Sequence, residues 1–367
     1  MLKFLIEILL ITCLFADLNA EIVHLNRINL ADICECNPSE STTIYLNDKG
    51  IATIDPSTFI GLTSLETLFL NSNQITSLEA STFSNLISLR TIYLQQNQIN
   101  SINPDTFEGL ASNVISLYLY SNQISSIDVN SFKHLSNLEI LDLSSNNITT
   151  IPPDALNGLR WLKKLSLSGN QLTTINPATF NGLTSLETLY LYSNKLVTIN
   201  SGTFNGLTFL QRLELQENQI KTINADLFNE TTSLQILYLH ENQITLLDSS
   251  TFKHLTRLEY LYLNYNQIKS IDAGTFKDLK YLKEIVLNGN KITSIDAITF
   301  NGLIRLEYLY LEINQIVSFD KNALTGLSNL KKVCMNNNPI TNLFPSFLMN
   351  VCSTSQNCQV HILTCFS

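Results

Sequence analysis

Charge is scarce in this chain: Asp, Glu, Lys and Arg make up 14% of its 367 residues, against the usual quarter. The formal net charge is −9 and no run of Lys or Arg occurs, which argues against nucleic acid and against an anionic membrane surface. Any electrostatic preference is then for neutral or basic partners. Cysteine is missing from the whole stretch between Cys36 and Cys334, so thiols sit only towards the two ends. Beyond the first twenty residues no continuous apolar run is long enough to cross a bilayer, and His361 to Ser367 lacks a lipid-anchor tail. No nucleophile elbow, phosphate loop, H-E-x-x-H or dinucleotide fingerprint is present, and the five histidines are scattered. We therefore expect no catalysis, no metal site and no cofactor.

What the chain has in abundance is one pattern. In Leu258 to Tyr281, the residues Leu258, Leu261, Leu263, Asn266, Ile268, Ile271, Phe276 and Leu279 define a unit of 24 residues. Its asparagine recurs as Asn73, Asn97, Asn122, Asn146, Asn170, Asn194, Asn218, Asn242, Asn266, Asn290, Asn314 and Asn338, always 24 residues apart except for one interval of 25 after Asn97. Around Leu261 and Leu263 the apolar residues alternate, the period of a strand buried on one face. After Asn266 the spacing lengthens and the chain must turn back. A lone unit has too few apolar side chains to offset its own ordering, so units must stack and share a core. An asparagine at an inward position is tolerable only if its amide bonds to nearby backbone. An upstream unit with Ile44, Leu46 and Ile51 has Lys49 in place of the asparagine and reads as a capping turn.

This frame resembles the extracellular, typical-length class of leucine-rich repeat, as in the ectodomains of Toll-like receptors, Slit proteins and the acid-labile subunit. The resemblance implies an α/β-type solenoid: a horseshoe with a parallel concave β-sheet, a mostly irregular convex side, caps at both ends and an asparagine ladder. The expected organisation is a secretory signal at 1–20, an N-terminal cap at 21–42, about twelve repeats plus a capping repeat at 43–343, and a cysteine-containing cap at 344–367. Lys3, the apolar run from Ile8 to Phe15 and Leu18-Asn19-Ala20 carry the signal reading, and with it secretion. Secretion makes Cys34, Cys36, Cys334, Cys352, Cys358 and Cys365 disulfide candidates. Cys34 and Cys36 look like the middle of the family's four-cysteine cap without its outer pair. They are free, bonded to each other, or bonded to another chain. The four C-terminal cysteines allow three connectivities.

Outward strand positions are left free by the fold. They carry nearly all the tyrosines, among them Tyr118, Tyr120, Tyr190, Tyr192, Tyr238, Tyr260, Tyr262, Tyr265, Tyr308 and Tyr310. Tyrosine anchors interfaces, although it also has high strand propensity. Between the clusters, Arg212, Glu214, Glu217, His240 and Glu241 read as a solvated charged face rather than as general acid and base. Asn147 and Asn229 begin N-x-[ST] sequons at positions able to carry glycan. The resemblance implies a concave face that grips an extracellular protein ligand, in some members a glycan or lipid. The alternative is a scaffold of the matrix or a stabilising subunit of a secreted complex.

Overall fold

The structure, a computed structural model, describes residues 22–110, 113–340 and the strand Gln359–His361. The expected signal at 1–20 and Cys352, Cys358 and Cys365 lie outside the described residues.

Each repeat contributes one strand of three residues, and fourteen strands pair in parallel in chain order to form a single sheet. It runs from Thr43–Tyr45 and Thr67–Phe69 through Thr188–Tyr190, Arg212–Glu214, Ile236–Tyr238, Tyr260–Tyr262, Glu284–Val286 and Tyr308–Tyr310 to Lys332–Cys334 and Gln359–His361. The register is one repeat: Leu189 opposes Leu213, which opposes Leu237. The middle residue of each strand from Ile44 to Val333 is buried, while its neighbours point to the other face, as the pleat requires.

Two structures run the length of the stack behind the sheet. Phe59, Phe83, Phe107 and Phe132 form one row of rings, and Phe180, Phe204, Phe228, Phe252, Phe276 and Phe300 form another, with centroids 6.1–6.4 Å apart. Leu156 separates the two rows. The asparagines from Asn73 to Asn314 are 3–8% exposed. Asn266 shows the pattern: its Nδ2 donates to the carbonyls of Leu239 and Leu263, and its Oδ1 accepts from the amide of Ile244, at 2.9–3.1 Å. Asn338, at the end of the row, is half-buried.

The convex side is irregular, as the resemblance implies, and nearly free of helix. Among the described residues there is one helix, Leu30–Cys34, and it precedes the repeats. The return arms are successions of turns. Side chains such as Thr203, which bonds the carbonyl of Asn200 at 2.8 Å, compete with helical bonding. Gly206 then follows at φ 81°, where a right-handed helix cannot continue.

At the N-terminal end Val23–Leu25 pairs with Ile51–Ile54. Lys49 reaches Glu35 at 3.3 Å, and its backbone amide donates to Asn73 Oδ1 at 3.1 Å. Cys34 and Cys36 are bonded to each other. Cys334 is also disulfide-bonded.

Candidate functional site on the concave face

The outward residue between the two central apolar positions of each repeat forms a row across the sheet. Tyr45, Phe69, Tyr93 and Tyr118 stack there with centroids 4.9, 4.4 and 4.9 Å apart. These rings cover one another's faces and offer mainly edges. The row continues with Asp142, Ser166, Tyr190, Glu214, Tyr238, Tyr262, Val286 and Tyr310. Tyr190 meets Tyr192 edge to face at 6.2 Å, and Tyr238 stacks on Tyr262 at 4.5 Å. Tyr120 lies half-buried on the same wall, and Tyr260 and Tyr308 each have a lysine near the ring, Lys283 at 5.9 Å and Lys331 at 5.8 Å.

The expected solvated face around Arg212 is solvated at Glu217 and Glu241 but not at Glu214. The side chain of Glu214 is 8% exposed, because the neighbouring strands put Tyr190 and Tyr238 on either side of it. Arg212 Nε donates to Glu214 Oε1 at 2.6 Å, Gln216 Nε2 donates to Oε2 at 2.9 Å, and the guanidinium lies 4.8 Å from the Tyr238 ring centroid. His240 is half-buried, its Nδ1 shielded and without a hydrogen-bond partner among the described residues, and burial pushes the imidazole below its ordinary range. Glu217 and Glu241 are exposed, in left-handed turn positions rather than on strands.

Tyr265 also departs from the strand reading. It occupies the left-handed position before Asn266, with φ 53° and 50% exposure, and its ring overhangs Gly289. A Cβ at Gly289 would come within 2.5 Å of that ring, so the two residues fit only as a pair. Asn147 is exposed. Asn229 is half-buried, with Nδ2 donating to Asp226 and its sequon partner Thr231 fully buried, so it is the poorer glycan acceptor in the folded chain.

A groove of about 850 Å³ opens in the C-terminal half, walled by Tyr238, Tyr262, Tyr265 and Tyr310 and floored by Val286 and Asn288. It contains Glu284 and Glu312, which the sequence reading passed over although both stand at outward positions of the frame. Burial holds both carboxyls above the usual glutamate range, and for Glu284 a hydrogen bond from Tyr262 partly counters this. Glu312 Oε2 and Asn336 Oδ1 are shielded and take no hydrogen bond among the described residues. Burial, with Glu284 nearby, also raises the Tyr262 and Tyr310 hydroxyls, so both rings stay neutral near pH 7.

Glu284→Gln tests this environment. A carboxyl whose folded pKa lies above its unfolded pKa contributes stability below the unfolded pKa and loses it as pH rises through the folded one. Ionised Glu284 therefore opposes folding at neutral pH. We expect Glu284→Gln to raise the urea midpoint near pH 7 and to leave it unchanged near pH 4, around the ordinary glutamate pKa. A lower midpoint near neutrality would contradict the desolvation argument.

Among the described residues, no three His, Cys, Asp or Glu side chains come together in an arrangement able to hold a metal ion, and no helix is long and apolar enough to cross a membrane. The groove offers ring faces, two carboxylates and unmade hydrogen bonds on an open wall, which suits a binding surface.

A parallel sheet with one inward asparagine per turn, and an outer wall free to vary, defines a solenoid of the recognition type. The sequence profile described as Leucine rich repeat matches in eight overlapping stretches, from 41–99 to 280–340, which together run over 41–340. The chain belongs to the leucine rich repeat family. No curated protein matches it in sequence. Among solved structures, it is similar to an internalin (inlF) from Listeria monocytogenes, at 26% identity and TM-score 0.67 over 92% of this chain and 89% of that one. The FLRT2 repeat region, solved in an octameric complex with Latrophilin 3 and Unc5D, is 24% identical with TM-score 0.63, over 89% and 91% of the two chains. A leucine-rich repeat protein of Leptospira interrogans is 23% identical with TM-score 0.57, over 93% and 100%.

Proposed function

We propose that this chain is a secreted recognition protein that binds an extracellular protein ligand through its concave face, and that it has no catalytic role. One observation carries the reading. The asparagine row satisfies its amides at every step, yet on the concave wall His240 Nδ1, Glu312 Oε2 and Asn336 Oδ1 are shielded from water and take no hydrogen bond among the described residues. Polar groups left this way on an open wall lower stability and gain from a partner that supplies the missing bonds. The surrounding tyrosines supply contact area at low entropy cost. FLRT2 occurs in its structure in complex with Latrophilin 3 and Unc5D, which accords with protein recognition by this fold. The pairing of Cys34 with Cys36 leaves neither as a free thiol for joining two chains, which weighs against a disulfide-linked scaffold.

The test replaces Tyr190, Tyr192, Tyr260 and Tyr262 together with Ser. All four are half-buried outward residues, so the fold should survive with unchanged far-UV circular dichroism. Proteins captured from the native extracellular fluid by the unaltered chain, identified by mass spectrometry, should be lost or reduced at least about tenfold, since several interface anchors are removed. An unchanged captured set would overturn the concave assignment.

A further inference from the structure

The ring row along the concave wall has a vacancy. Tyr238, Tyr262, Val286 and Tyr310 occupy the same position in four successive strands, in direct register. Where two rings are adjacent they stack at 4.5 Å. Strands lie about 4.8 Å apart, so Tyr262 and Tyr310 stand roughly 9–10 Å from each other. Between them in the row stands the smaller side chain of Val286, which lines the groove. One planar group fits that space at stacking distance from both rings.

The charge around the space has a sign. Glu284 precedes Val286 by two residues and shares its face, and it lines the same groove as Tyr262. Glu312 brings a second carboxylate whose Oε2 takes no hydrogen bond among the described residues. The one cation among the residues lining the groove is Lys332, 5.3 Å from the Tyr310 centroid and carried by the strand beyond it. Two carboxylates against one ammonium leave the lining with an excess of one negative charge.

The same molecule already builds the arrangement that would complete the site. Arg212 lies over Tyr238 and is clasped by Glu214. A guanidinium is planar, stacks on aromatic faces and forks onto a carboxylate, which an ammonium cannot do. An aromatic guest would fill the space but leave the excess negative charge uncompensated.

We propose that the space over Val286 receives the guanidinium of an arginine presented by a basic protein partner, stacked between Tyr262 and Tyr310 and hydrogen-bonded to Glu284. This rests on the concave reading and names the chemistry of its ligand.

The probe is N-acetyl-arginine methylamide, titrated into the full chain carrying ¹³C-labelled tyrosine and followed by NMR. Its citrulline analogue, of the same shape without the charge, and its lysine analogue serve as comparisons. The arginine probe should shift tyrosine ring signals that disappear in Tyr262→Phe and Tyr310→Phe, and should bind about tenfold more tightly than either analogue. Val286→Tyr places in the gap the residue its neighbours carry and should abolish binding. Glu284→Gln, expected to be at least as stable as the parent, should weaken binding to the level of the citrulline analogue and guards against misfolding of the first variant. Equal affinity for arginine and citrulline probes, absence of binding, or unaltered binding in well-folded Val286→Tyr would each overturn the proposal. Such a result leaves the concave assignment to its own test, because the tyrosine-to-serine variant reads capture of the whole partner.

Discussion

Phe204→Ala is expected to lower the free energy of unfolding by about 3–5 kcal/mol, the range for removing a buried aromatic ring. Phe204 is fully buried and its ring lies between Phe180 at 6.3 Å and Phe228 at 6.4 Å. In a compact domain, side chains from many directions relax into such a hole. A solenoid repeat touches only its two neighbours, and these are fixed by strand pairing on one side and by the asparagine bonds behind it. The cavity therefore stays open, and the loss falls towards the upper end. The chain supplies its own control, since Leu156 and Leu324 take this position in two repeats and are 1% and 6% exposed. Phe204→Leu should cost no more than about 1.5 kcal/mol, as swaps that keep most of the volume do. Urea titration by circular dichroism separates the two. Equal midpoints for the alanine and leucine variants would mean that the rings do not act as a packed row.

The parts of the molecule legible in the sequence are those that repeat. Asn73 to Asn338 and their leucines repeat because every turn places the same demand on them, so strand register could be read from their spacing. Phe69 belongs to the outer ring row by its place in the frame, which a search for tyrosine alone does not mark. Glu214 is illegible in the sequence for a different reason. Its burial depends on residues a whole repeat away, Tyr190 and Tyr238, which close over it from both sides. The open sheet was expected to leave such groups in water, but bulky neighbours across the strands make their own dry patch. The groove follows the same logic with the opposite sign: Val286 leaves room where a ring stands in the adjacent strands, and Glu284 and Glu312 are set into the space. Reading the outward positions as rows across repeats, rather than as a count of tyrosines, makes both features visible.

Asn218→Ala is expected to cost about 1–3 kcal/mol, and the bonds around it say where the loss arises. Asn218 Nδ2 donates to the carbonyls of Leu191, Leu215 and Gln216 at 3.0–3.1 Å, and its Oδ1 accepts from the amide of Leu196 at 3.0 Å. Each of the three carbonyls has a second donor. Leu191 O also accepts from Asn194, Leu215 O from Asn242, and Gln216 O from the amide of Ser193. The Leu196 amide has no such substitute in the observed bonding, so alanine strands one buried N–H while the carbonyls keep a partner. Asn218→Asp would keep an acceptor for Leu196 but turn a carboxylate oxygen towards three carbonyls, which also disfavours ionisation. It should therefore destabilise more than alanine near neutral pH, and the difference should shrink in acid as the carboxyl gains a proton able to donate. Asn338→Ala, at a half-buried site, should cost less than Asn218→Ala, because water can reach the groups it frees. Urea midpoints at two pH values, with hydrogen exchange at the Leu196 amide, measure all three variants. If aspartate proved no worse than alanine at neutral pH, or the Leu196 amide kept its protection in the alanine variant, the inward amide would not be the element that ties one repeat to the next.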